Sequence, residues 1–141
     1  MAQKNLTTMP EGRIVRLYYN YNGMMMEEFS NFTLCRLPDG KGIQISFRHR
    51  GSEMTINDES DSLFDAARHI IEEERMYEYD SHYSLQLGGP ILDGYSWDFD
   101  VYFESGEKLL TGGRHVSPDG NGLRRISSLL SDTARRLLAQ Q

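Results

Sequence analysis

The chain has 141 residues, 38% of them hydrophobic and 26% charged, with a formal net charge of -6. That length suits one domain able to bury its own core without disulfide or metal staples. The acidic balance repels phosphate backbones and anionic membrane surfaces, and no run approaches the roughly eighteen apolar residues of a membrane span, so neither nucleic acid nor a membrane is expected as a partner.

Residues 1–12 read as a flexible leader and 13–141 as a single domain. Met1 to Pro10 is polar and lacks the apolar core of a secretory signal, which points to the cytoplasm. A first strand begins near Arg13, with Val15, Leu17, Tyr19 and Tyr21 on one face and Arg16, Tyr18 and Asn20 on the other. Asn22-Gly23 supplies the turn that ends it. Met24-Met25-Met26 follows, a flexible apolar run suited to capping a core edge or to forming an adaptable contact surface.

Phe29 to Arg36 is a second strand, closed by Pro38-Asp39-Gly40, and Ile43, Ile45, Phe47 and His49 alternate with Gln44, Ser46 and Arg48 as a third. These two form a hairpin, and Gly51-Ser52 turns the chain into a short fourth strand, Glu53 to Ile56. Cys35 is the sole cysteine, so no intramolecular disulfide forms, and its strand setting predicts a buried, inert thiol. His49 is expected to point into the core and bond a backbone group.

Asn57 to Ser62 offers several N-caps, and Leu63, Phe64, Ala67, Ile70, Ile71 and Tyr77 fall on one arc, which predicts a helix over 61–77. Glu74 projects into that arc, so it lies past the buried portion or meets an arginine. Gly88-Gly89-Pro90 is loop. From Asp93 onward the signal is strongest: Trp97, Phe99, Val101 and Phe103 alternate with Asp98, Asp100, Tyr102 and Glu104, and Gly106 allows the turn back into Lys108 to Thr111. Leu123, Ile126, Leu129, Leu130, Thr133, Ala134, Leu137 and Leu138 then make an amphipathic stripe that predicts a helix over 121–138, with Asp132 placed to pair with Arg136. The two helices carry opposite charge, which suits dipolar solvated faces lying side by side.

The order of a helix ending in Ile70-Ile71-Glu72 to Tyr79, then Asp93-Gly94-Tyr95-Ser96-Trp97, Gly106, Gly113, Pro118 and a terminal Leu-rich helix resembles a group of uncharacterised bacterial proteins common among gut bacteria. Those proteins share an Asp-Gly-x-Ser-Trp hairpin and a Gly/Pro turn. The resemblance covers about the second half of the chain, more weakly the first. The turn written Gly-x-Asn-x-Tyr-Pro in that group reads Gly113-Arg114-His115-Val116-Ser117-Pro118 here. What the resemblance implies is the fold and a bacterial origin; it implies no activity.

No P-loop, GxSxG, dinucleotide fingerprint or HExxH is present, and the four histidines lack metal-ligand spacing, so neither cofactor nor metal is expected. Asp65, His69 and Glu72 or Glu73 lie on successive helical turns, a set that a solvated acidic face produces by chance. Asp98, Asp100 and Glu104 sit on the open face of their strand, where solvation keeps carboxylates ordinary. Gly112-Gly113-Arg114 offers donors to an anion, but paired glycines at a strand end more often mark a bulge or exit turn. Tyr18, Tyr19, Tyr21, Tyr95 and Tyr102 have the makings of an exposed aromatic patch.

The expected fold is α+β, an antiparallel sheet of five or six strands with two helices on one face. The expected function is a non-catalytic protein-protein interaction or adaptor module, or a homodimer, that uses the open sheet face with Tyr18 and Tyr102. The alternative is a small-molecule-binding protein or minor enzyme with a pocket at Asp93, Tyr95, Trp97, Arg114 and His115.

Overall fold

A computed structural model describes residues 4–23, 27–84 and 94–141. The elements in chain order are β1 (Ile14–Asn22), β2 (Phe29–Arg36), β3 (Ile43–His49), β4 (Ser52–Asp58), α1 (Ser62–Glu73), β5 (Tyr83–Ser84), β6 (Ser96–Phe103), β7 (Lys108–Arg114) and α2 (Gly122–Ala139). They form one α+β arrangement: a sheet in the order β4-β3-β2-β1-β6-β7-β5, with both helices on one face. Among the described residues the sheet has seven strands rather than five or six, and it is mixed, because β5 runs parallel to β7 while the other pairs are antiparallel. Tyr83–Ser84 is too short to carry a period, so nothing in its sequence marks it as a strand.

The hairpin of β6 and β7 is the centre of the fold. Trp97, Phe99, Val101 and Phe103 are all buried beneath the helices, and Gly106 takes φ +93 in the turn between the strands. Across β1, the same face carries Ile14, Leu17 and Tyr19. Val15 was expected there, but a register shift between Ile14 and Arg16 inserts a bulge, so Ile14 turns inward in its place. A second shift lies between Ser30 and Thr33, where Asn31 takes φ +58 and its N–H donates to Asn20 Oδ1 at 3.0 Å.

Helix α1 stops four residues before the expected end. Arg75 adopts a left-handed conformation at φ +54, and Met76–Glu78 continue as a single tighter turn. The apolar arc therefore ends on Met76, which is fully buried, rather than on Tyr77, which is half-buried. Glu74 sits at the C-terminal cap and meets an arginine of the other helix: Arg125 Nη1 lies 3.0 Å from Glu74 and 2.6 Å from Glu73. Opposite charge thus joins α1 to α2 where they lie side by side. Along α2 itself, Asp132 pairs with Arg135 at 3.1 Å, and Arg136 reaches Asp58 at 3.5 Å instead of Asp132. The i,i+4 partner is displaced because Asp58, the last residue of β4, lies within reach of Arg136.

Residues 4–12, placed in the leader by sequence, are bonded to the folded body. The Asn5 and Leu6 N–H groups donate to the carbonyls of Tyr79 and Tyr77, and the Arg68 guanidinium donates to the carbonyls of Pro10 and Gly12 at 2.7 and 2.8 Å. No helix among the described residues is long and apolar enough to cross a membrane.

Candidate functional site

Strand alternation puts every second residue on the sheet face away from the helices, and the registers align these residues in rows. One row runs Leu110, Asp100, Tyr18, Thr33, Ser46 and Thr55; the next runs Lys108, Tyr102, Arg16, Cys35, Gln44 and Asn57. Tyr18 and Tyr102 are therefore on the open face, as the period demands. The five tyrosines do not form one patch: Tyr19 is buried on the helix face, and Tyr21 stacks on Tyr95 with ring centroids 5.4 Å apart. Cys35, expected to be buried, is half-exposed on the open face. It lies between Arg16 and Gln44 and not under a helix.

Along β6 the open face carries Asp98 and Asp100. They form a hollow of about 490 Å³ with Leu110, Gly112, Arg114 and His82. The hollow exists because Gly112 has no side chain. A Cβ there would stand 2.9 Å from Asp98 Oδ1 and 2.9 Å from the Trp97 carbonyl. Leu110 is the one exposed large hydrophobic side chain among the described residues. Gly112 and Gly113 are thus interior to β7, neither a bulge nor an exit turn. Gly113 is required for a different reason: a Cβ at 113 would meet Trp97 Nε1 at 2.6 Å and the Val116 carbonyl at 2.8 Å.

Asp100, half-buried, is not an ordinary solvated carboxylate, whereas Asp98 is exposed, as its place on the open face leads one to expect. Partial burial raises the Asp100 carboxyl above its usual value, and the neighbouring Asp98 raises it further. The Tyr18 hydroxyl is pushed up by burial and by the same two carboxylates, and it donates to Asn31 Oδ1 at 3.1 Å. Neither aspartate has an ion-pair partner among the described residues. Some of the chain's other acids are differently placed: Asp61 meets Arg36 at 2.8 Å, Glu28 meets Arg135 at 3.1 Å and Glu78 meets Arg75 at 2.8 Å. In each of these the hydrogen bond from arginine holds the carboxyl below its usual value. Glu104, at the end of β6, pairs with Arg13 at 3.3 Å.

The residues of the alternative pocket are only partly brought together. Tyr95, Arg114 and His115 line a second hollow, of about 530 Å³, with Asn22, Gly23 and Gly94. Asp93 lies outside the described residues. Trp97 is 2% exposed and lies beneath, its indole N–H donating to the Val116 carbonyl at 2.8 Å. His115 is held at φ +64 against Gly94, where any Cβ would strike the imidazole, and the His115 backbone N–H donates to the Tyr95 carbonyl at 2.8 Å. The Tyr95 hydroxyl and Ser117 share a hydrogen bond of 2.9 Å.

A third concavity, about 440 Å³, lies on the helix face between Tyr19, Tyr21 and Phe29 of the sheet and Ser127, Ser128 and Ser131 of α2. Among the described residues that line it no histidine stands beside the serines to act as base, and its charged rim is occupied by the Glu28–Arg135 pair. His49 stacks on Phe29 at 4.9 Å and faces Glu28 at 3.8 Å, so its partner is a carboxylate and not the expected backbone group. His69 lies 2.8 Å from Glu73, whose other oxygen takes Arg125. That acid is held in an ion-pair network between the helices. Among the described residues no group of three or more His, Cys, Asp or Glu is arranged to hold a metal ion.

No family model, curated protein or solved structure matches this chain.

Proposed function

We propose that the protein is a non-catalytic recognition module whose open sheet face docks a protein partner, with the hollow over Gly112 taking a cationic side chain of that partner. The observation that carries this reading is the pair Asp98 and Asp100, alternating along β6 on an uncovered face and forming no ion pair among the described residues, with Arg114 lining the same hollow but not bonded to either. The half-buried Asp100 carboxylate lies beside a second acid with no ion pair, which is unfavourable, and a lysine or arginine from outside restores the balance. Leu110 beside it supplies apolar contact, and Tyr18 and Tyr102 supply broad area with little loss of rotamer entropy. An aromatic and apolar centre among charged residues is the composition of a protein contact.

The test is a titration of isotope-labelled protein with two short peptides, one bearing arginine and tyrosine, the other the same peptide with glutamate in place of arginine. Amide shifts of β1, β6 and β7 with the first peptide alone are expected, and Asp98→Asn with Asp100→Asn should weaken that binding about tenfold, as loss of charge-assisted bonds does. An equal response to the acidic peptide, or shifts confined to α2, contradicts the proposal.

A second reading, a small-molecule site at the hollow of Tyr95, Arg114 and His115, has one observation in its favour. His115 Nδ1 is buried and has no hydrogen-bond partner among the described residues. Shifts clustered at Gly94 to Ser96 and Arg114 to Val116 when a fragment mixture is added would favour it over the first.

A further inference from the structure

The two edges of the sheet are treated differently. Beyond β7 the edge is covered, since β5 pairs with Gly113 and Arg114, and Asn5 Oδ1 accepts the Leu110 N–H at 3.0 Å. The opposite edge is β4, seven residues long, paired only with β3 among the described residues. Apart from the charges of Glu53 and Asp58, it lacks the usual protections of an exposed edge. It contains no proline and no lysine, and its register with β3 is unbroken from Ser52 to Asp58, whereas the β1–β6 and β2–β3 pairs both carry shifts.

The direction of its free backbone groups follows from the turn. Arg50 and Gly51, at φ +51 and +87, form a two-residue hairpin turn, so the flanking His49 and Ser52 are a hydrogen-bonded pair. Alternation then makes Met54, Ile56 and Asp58 bond to β3 and turns the N–H and C=O of Glu53, Thr55 and Asn57 outward. All three are exposed.

We propose that β4 pairs antiparallel with β4 of a second copy of this chain, about a two-fold axis through Thr55, which joins two seven-stranded sheets edge to edge. The occupant is indicated by self-complementarity. With Thr55 facing its own copy, Glu53 faces Asn57, Met54 faces Ile56 and Ser52 faces Asp58, so no like charges meet and all seven residues are used. Two main-chain bonds form at each of the facing pairs Thr55–Thr55, Glu53–Asn57 and Asn57–Glu53. The two acids of the strand already have partners within the chain, Arg48 at 3.7 Å from Glu53 and Arg136 at 3.5 Å from Asp58, so no naked charge enters the contact. Half-exposed Met54 comes to lie against Ile56 of the other copy. A register centred on Glu53 instead opposes two glutamates and uses less of the strand. The pairing leaves both open faces free.

The experiment is sedimentation of the full chain over a wide concentration range, with two variants. Thr55→Pro removes an outward N–H that β3 does not use, so the fold stands while a dimer bond is lost. Thr55→Lys places two ammonium groups opposite each other at the axis and leaves the backbone intact. A concentration-dependent dimer is expected for the parent, weakened at least about tenfold in each variant. A chain that stays monomeric throughout overturns the proposal, and so does a dimer that Thr55→Lys leaves unchanged. Neither result bears on peptide binding at Asp98 and Asp100.

Discussion

Replacing Trp97 by alanine is expected to destabilise the fold by about 3–5 kcal/mol, the range for truncating a large buried aromatic. Trp97 is the largest of the fully buried side chains, contacts Tyr83 with centroids 5.9 Å apart, and satisfies the Val116 carbonyl through its indole N–H. Alanine leaves a cavity at the junction of β6, β7 and the connection to α2, and also an unpaired carbonyl, so two separate penalties add. Urea melts followed by circular dichroism measure the loss. A phenylalanine at the same position keeps most of the volume and loses only the bond to Val116, so Trp97→Phe should fall well short of the alanine loss. Equal losses for the two would mean that the ring's volume is unimportant.

Gly113→Ala is expected to cost about 2 kcal/mol or more, because overpacking a core forces the backbone or its neighbour to move. The added methyl would sit against Trp97 Nε1 and Cε2 and against the Val116 carbonyl, and the last of these is backbone that cannot turn away. The clash involves Trp97, so the two substitutions couple. In a Trp97→Ala background the methyl enters the vacated space, and Gly113→Ala should cost less than it does alone. Additive losses in the double-mutant cycle would show that the two residues do not touch.

The parts of this architecture visible in the sequence are those with a sustained period. The β6 strand and α2 follow directly from alternate and every-third-or-fourth apolar spacing, and Tyr18 and Tyr102 reach the open face by the same alternation. The bulges are silent because each adds a residue without changing composition; a strand reading of β1 therefore turns Val15 inward where Ile14 belongs. Tyr77 fits the helical arc, so spacing alone carries α1 past Glu73, and nothing in the residue type announces that Arg75 takes a left-handed conformation. Tertiary placement decides the remainder. Asp132 has an acceptable partner at Arg136 by spacing, yet Arg136 is drawn to Asp58 of β4.

The candidate site was half legible for a related reason. Alternation places Asp98 and Asp100 on the wet face, but that they form no ion pair among the described residues depends on which strands flank them, and that is set by β1 and β7 pairing on either side. The hollow is made by an absent side chain at Gly112, and a glycine in a strand has several readings until its cross-strand neighbour is known. The register with Asp98 supplies that neighbour.

The account depends on the helices covering one face of the sheet and leaving the other bare, and the single cysteine reports on this directly. Cys35 lies on the bare face, one strand from Tyr18. Treatment of the native protein with a small thiol reagent should modify Cys35 while the buried tryptophan's emission stays unchanged. If Cys35 reacts only after Trp97 becomes exposed in denaturant, something covers that face, and the open recognition surface is wrong.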